Sequence, residues 1–219
     1  MERAASRVVL ICLLLCTLAS AQKKIKVIAD QDSAGPQGTN FLSLLMLLRA
    51  PQIDLLGITT VSGDQWMEPA TVFALWGLEQ AGRPDVPVIK GAEMPLINTP
   101  REQELREALY GSYVGWHGSF NPDAPPPKRT WAPPGGYPKL KPRPGRAADF
   151  IADTIRGNPG EIVLYCARPL TNISLAIRMS PEILPPTEAR ATIGASRRVG
   201  PGLPGRWHPD ALPIGLPAP

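Results

Sequence analysis

The order of apolar runs along the chain predicts an α/β fold, an open and mostly parallel sheet with helices on both faces. Three observations carry that expectation. Short β-branched runs alternate with stretches of helical periodicity from Lys24 to Met179, and such alternation builds right-handed βαβ units. The run Ile53 to Val61 has almost no polar face, as in strands covered on both sides. Glycine, proline and asparagine punctuate the joins, at Ser62-Gly63-Asp64, Gly91 and Gly157-Asn158-Pro159-Gly160, where turns need them.

Taken in order, Lys24 to Ala29 reads as a first strand ending in Asp30-Gln31-Asp32. The loop Ser33 to Gly38 follows, and Thr39 or Asn40 can cap the next helix, Phe41 to Arg49. That helix is apolar nearly all round, so it should be buried against the sheet. After the strand Ile53 to Val61 come a helix over Glu68 to Gln80, a short strand over Val86 to Ile89 and a polar helix over 101–111. Prolines at 122, 125, 126, 127, 133, 134, 138, 142 and 144 exclude persistent helix or sheet. Residues 122–145 are therefore expected to form a long surface loop or lid, with Trp131 and Tyr137 packing it onto the body. Order resumes with a helix over Ala147 to Arg156, a strand over Glu161 to Cys166 and a helix over Leu170 to Met179.

Residues 1–21 read as a secretory signal peptide. Arg3 and Arg7 precede the apolar run Val8 to Leu18, and Ala19-Ser20-Ala21 is a small-x-small cleavage pattern. The alternative is a membrane anchor, but the run is short for a bilayer. The expected mature chain is soluble and exported to the periplasm or the exterior. Cys12 and Cys16 leave with the leader, so Cys166 has no partner for an internal disulfide and is read as a small buried apolar residue. A hydrophobic share of 43% suits a globular core. The net charge of +4 comes from scattered basic residues, which carries no nucleic-acid footprint. The domain is expected over 22–184. Residues 185–219, rich in proline and glycine, are expected to be disordered because they bury too little to offset ordering entropy.

The residues most suggestive of chemistry are Asp30 and Asp32. In open parallel sheets ligands bind beyond the carboxyl ends of the strands, and two carboxylates there can hold a hard cation and orient a water. An Asx-turn cluster without a ligand is the alternative. His117, in Gly115-Trp116-His117-Gly118, is read as a solvated loop histidine or a contact to a leaving group, and His208 is given no role.

Four ordered motifs resemble the nucleoside hydrolases. Asp30-Gln31-Asp32 opens like that family's Asp-x-Asp-Pro-Gly-x-Asp-Asp signature, and Asp54-Leu55-Leu56-Gly57-Ile58-Thr59-Thr60-Val61-Ser62-Gly63 is similar to its second strand. Val86-Pro87-Val88-Ile89-Lys90-Gly91 and Pro169-Leu170-Thr171-Asn172-Ile173 match two later segments. The resemblance implies a Rossmann-like α/β fold and calcium-dependent hydrolysis of the N-glycosidic bond of a ribonucleoside. It implies Asp32 as the carboxylate that takes a proton from the attacking water. Its implied calcium ligands are Asp30, Asp32, Asn40 and the carbonyl of Ala167, and its implied ribose contacts are Thr39 and Asp64. Self-association is the family's habit, so a homo-oligomer is an expected partner state.

This chain also departs from the pattern. The closing aspartate pair of the signature falls on Thr39 and Asn40, after a longer loop, so a calcium site here should be weak. The motif resemblance ends near Leu184, whereas the family continues through further strands, another calcium aspartate and a histidine. Residues 185–219 are accordingly read as a frameshifted or foreign end, with a natural short variant as the alternative. Two functions follow: an exported N-ribohydrolase, inactive if truncated, or a non-catalytic scaffold that binds a sugar or nucleoside.

Overall fold

The computed structural model describes residues 23–36, 38–96, 100–111, 118–120, 131–167 and 169–184, with the backbone alone at 39, 100, 103, 106 and 120. The leader, His117, residues 121–130 of the proline-rich loop, His208 and the tail from 185 lie outside the described residues.

Four parallel strands form one sheet in the order β3-β2-β1-β4. They are β1 (Ile25–Gln31), β2 (Ile53–Thr60), β3 (Val88–Lys90) and β4 (Ile162–Cys166). Between and after them lie helices α1 (Thr39–Arg49), α2 (Met67–Ala81), α3 (Pro100–Tyr110), α4 (Ala147–Gly157) and α5 (Thr171–Met179). The predicted elements are all present, with ends moved by a few residues. The most consequential move is at β1, which runs on through Gln31. Asp30 is therefore a strand residue, registered between Thr59 of β2 and Cys166 of β4.

The sheet is covered on both faces. On one, Val27 and Ala29 of β1 and Leu55 and Ile58 of β2 pack with Leu44 and Leu48 of α1 and with Ala74, Leu75 and Leu78 of α2. On the other, Ile28 of β1 and Cys166 of β4 pack with Ala148 and Ile151 of α4 and with Ile173 and Ala176 of α5. Alternate residues of β1 thus feed two separate cores, as the period-2 geometry of a strand requires. A bulge between Val27 and Ile28 inserts Leu56 into β2. A Cβ on Gly57 would lie 2.5 Å from the Phe150 ring, so only glycine lets α4 lie this close to β2.

Three expectations need correction. Neither Thr39 nor Asn40 caps α1. Gly38 takes the N-cap position without a side-chain bond, because the Asn40 amide is used elsewhere, as described below. Helix α1 is not buried all round: Phe41 and Leu44 are inside, but Leu42 and Met46 are 54% and 73% exposed, since one face of the helix meets no neighbour among the described residues. Trp131 and Tyr137 are also exposed. The described half of the proline-rich loop is held instead by buried Pro133 and Pro138, by Leu140 against the first core, and by polar bonds. Trp76 Nε1 donates to the Pro134 carbonyl (3.0 Å), Glu79 Oε1 accepts from the amides of Lys139 (2.6 Å) and Leu140 (2.8 Å), and the Arg143 amide donates to the Val88 carbonyl (2.8 Å).

Candidate active site

The strand order places a topological switch beside β1. The chain steps from β1 through β2 to β3 on one side and returns to β4 on the other. The chain leaving β1 and the chain leaving β4 run to opposite faces of the sheet, and the crevice between such connections is where open α/β sheets bind ligands. Asp30, Gln31, Asp32 and Ser33 close β1 at this point, and all four are buried.

Asp30 is gripped on one side only. Its Oδ1 accepts from Thr59 Oγ1 (2.6 Å) and from Asn172 Nδ2 (2.8 Å), whereas Oδ2 is buried without a hydrogen-bond partner among the described residues. Burial raises its pKa to about 6, against the opposing pull of the Thr59 and Asn172 bonds, and the Asp32 charge adds to the rise. Asn172, second residue of α5, is a hub. Its Nδ2 also donates to the Thr60 carbonyl (3.0 Å), and its Oδ1 accepts from the Ala92 amide (2.8 Å). One side chain thereby joins α5 to β1, β2 and the segment after β3. Gly91 lies so close that a Cβ there would be 2.3 Å from the Asn172 amide.

Asp32 is engaged on both oxygens. Asn40 Nδ2 donates to Oδ1 (2.5 Å), and the Asp64 amide donates to Oδ2 (2.7 Å). The same Asn40 Nδ2 reaches Asp64 Oδ2 (3.3 Å). Asn40 is the second residue of α1, so the partial positive charge of that helix start also lies beside the carboxylates. Below them Gly63 packs without a side chain, because a Cβ would fall 2.1 Å from Asp32 Oδ2. Its carbonyl accepts from both the amide (2.8 Å) and the Oγ (2.9 Å) of Ser119. The turn 118–120 is thereby fastened next to the site.

Of the residues singled out from sequence, Asp32, Asn40 and Asp64 form one hydrogen-bonded cluster. Asp30 adjoins it, and the Ala167 amide donates to the Asp30 carbonyl (3.1 Å). Thr39 is adjacent in α1, with its side chain outside the described residues. Sequence reasoning passed over Thr59 and gave Asn172 no role of its own. A hydroxyl at the end of an apolar strand and an amide just inside a helix were the available signals, but which carboxylate they serve is a tertiary matter.

The residues present fit a hard cation in their donor chemistry. They are oxygen donors, and Asp30 Oδ2 is a buried acceptor still lacking a partner. They are sparse in charge, since no group of three or more acidic, histidine or cysteine side chains is placed to hold a metal among the described residues.

Comparison with known proteins agrees with this geometry. A profile of the inosine-uridine preferring nucleoside hydrolases matches residues 27–200, past the last motif read from the sequence. The chain is 33% identical over 157 residues to uridine nucleosidase 1 of Arabidopsis thaliana, covering 71% of this chain and 40% of that one. It is 30% identical over 179 residues to a pyrimidine-specific ribonucleoside hydrolase of Escherichia coli, covering 81% and 50%. A solved plant nucleoside hydrolase superposes with a TM-score of 0.51 at 28% identity, over 72% of this chain and 44% of that one. The chain thus spans half or less of the length of these relatives. A profile match across most of its residues, on a doubly wound sheet with the aspartates at the switch point, shows that the chain belongs to the inosine-uridine preferring nucleoside hydrolase family.

Proposed function

We propose that this site serves hydrolysis of the N-glycosidic bond of a ribonucleoside, nucleoside and water giving ribose and free base. The observation that carries the reading is the buried Asp30 and Asp32 pair at the carboxyl end of β1, beside the switch point. Asp32 is the carboxylate that takes a proton from the attacking water, whose oxygen bonds to the anomeric carbon as the base departs with the glycosidic electron pair and takes up a proton from solvent. Asp64 and Thr39 hold ribose hydroxyls. The amide of Asp64 and the Nδ2 of Asn40 orient the Asp32 carboxylate, and Thr59 with Asn172 orients Asp30.

Calcium belongs to the same reading, held by Asp30, Asp32, the Ala167 carbonyl and, by resemblance, Asn40. When bound it supplies charge that makes a water easier to deprotonate. Residues 1–21 direct export, so the chain works in the periplasm or outside the cell, and Gln22 would be the N-terminus of the exported form.

The test is release of base and reducing sugar from uridine and inosine by the full chain with calcium, set against Asp32→Ala. Turnover lost by at least about a hundredfold in the variant, the usual scale for removing a general base, supports the reading. Nucleoside binding in calorimetry without turnover favours the non-catalytic scaffold. Neither binding nor turnover overturns both.

A further inference from the structure

The Asn40 carboxamide stands in an unusual position for a ligand. Its Nδ2 lies between two carboxylates, donating to Asp32 Oδ1 at 2.5 Å and to Asp64 Oδ2 at 3.3 Å, while the Asp64 amide takes the other Asp32 oxygen. Only the NH2 side of an amide can face two carboxylates, because the oxygen side would repel both. The amide thus does in part what a cation between these groups would do: it offsets their mutual repulsion. We infer that Asn40 acts as an internal clamp that competes with a divalent cation for the Asp32 carboxylate, and is not itself a cation ligand. The inference rests on the calcium reading of this site and reverses the role that resemblance assigns to Asn40.

The physical consequence is specific. To bind calcium with Asn40 Oδ1 as a donor, the amide must turn over, losing both of its hydrogen bonds. It then contributes only a neutral oxygen. Asn40 also cannot shift readily, because it is anchored in the first turn of α1, where its carbonyl accepts from Ser43 Oγ (2.7 Å). Cation affinity at oxygen sites follows the number of charged ligands. An isosteric carboxylate at position 40 removes the clamp and adds a charge, whereas alanine removes the clamp alone.

The experiment is calorimetric titration of calcium chloride into the full-length chain and into its Asn40→Asp and Asn40→Ala variants, with circular-dichroism melts to establish that each is folded. The expected result is calcium binding tighter than the parent in both variants, at least tenfold in Asn40→Asp, where a charged ligand is added. Binding in Asn40→Asp equal to or weaker than the parent overturns the inference. So does binding in Asn40→Ala no tighter than the parent, and weaker binding there would make Asn40 a ligand. If Asn40→Asp does not fold, the alanine comparison decides alone. The outcome is separable from the hydrolysis reading. Tighter binding in both variants upholds the clamp even if uridine and inosine are untouched, while turnover with unchanged affinities removes the clamp and leaves the hydrolase.

Discussion

Gly63 and Cys166 show how little freedom single positions have around the carboxylates. A methyl group at Gly63 would lie 2.1 Å from Asp32 Oδ2 and 2.7 Å from Pro169 Cδ, closer than nonbonded atoms approach. Gly63→Ala must therefore push the carboxylate or the proline ring aside, and overpacking of this kind costs about 1–3 kcal/mol. Thermal denaturation checks it, and a variant that melts with the parent would contradict the close packing. Cys166 is buried at the end of β4, and burial, with the Asp30 charge adding to it, pushes its thiol up to about 12. The thiolate is the reactive form. The peptide carrying Cys166 should therefore stay unmodified by iodoacetamide at pH 8 in the native protein and react after unfolding. Equal labelling in both states would contradict it.

Between elements, the joints are made by a few polar side chains. Asn172 ties the start of α5 to β1, to β2 and to the segment after β3. Asn172→Ala leaves buried partners unsatisfied, at a cost of about 1–3 kcal/mol each where water cannot replace the lost bond. A clear fall in melting temperature is expected, with loss of exchange protection at the Ala92 amide. Retained protection there would show that the side chain is not the tie. At the opposite end of the sheet, Glu161 bonds Lys23 (2.8 Å) and Lys26 (2.7 Å), joining the beginning of β1 to the beginning of β4. These bonds hold its carboxyl at about 2, below the ordinary 4.5. A folded-state value below the unfolded one stabilises the native chain above pH 4.5, and the contribution disappears as pH falls from 4.5 through about 2. The groups are exposed, so the effect is small. Glu161→Gln should melt slightly below the parent at pH 6, and the gap should shrink as the pH falls toward 2. A gap that widens in acid would reverse the sign.

Among the described residues, the sheet is covered on both faces over β1 and β2 and open at its β4 edge. β4 has no strand on its outer side among the described residues, and Val163 on it is 42% exposed. Unpaired apolar edges recruit other chains. The full-length protein is therefore expected to self-associate with rising concentration, and Val163→Lys to reduce this. Light scattering coupled to size exclusion reads it directly. A parent that stays monomeric at high concentration would show that the edge is protected.

The element order and the end of the sheet that carries the candidate site were legible in the chain because they follow from local rules. Apolar alternation, helical periodicity and the proline and glycine breaks mark nine elements between Ile25 and Met179, and parallel sheets bind beyond their carboxyl ends. Asp30 and Asp32 could therefore be placed before any coordinates. Pairing across the chain could not. That Asp30 is held by Thr59 and Asn172, that Asn40 turns its amide to Asp32 and Asp64 and leaves the α1 cap to Gly38, and that Glu79 holds the described part of the proline-rich loop all depend on residues 8 to 142 positions apart. Hydrogen-bond partners are set by which strands and helix ends meet at the switch point. Sequence determines that such a meeting point exists; only the packed sheet decides which donor reaches which carboxylate there.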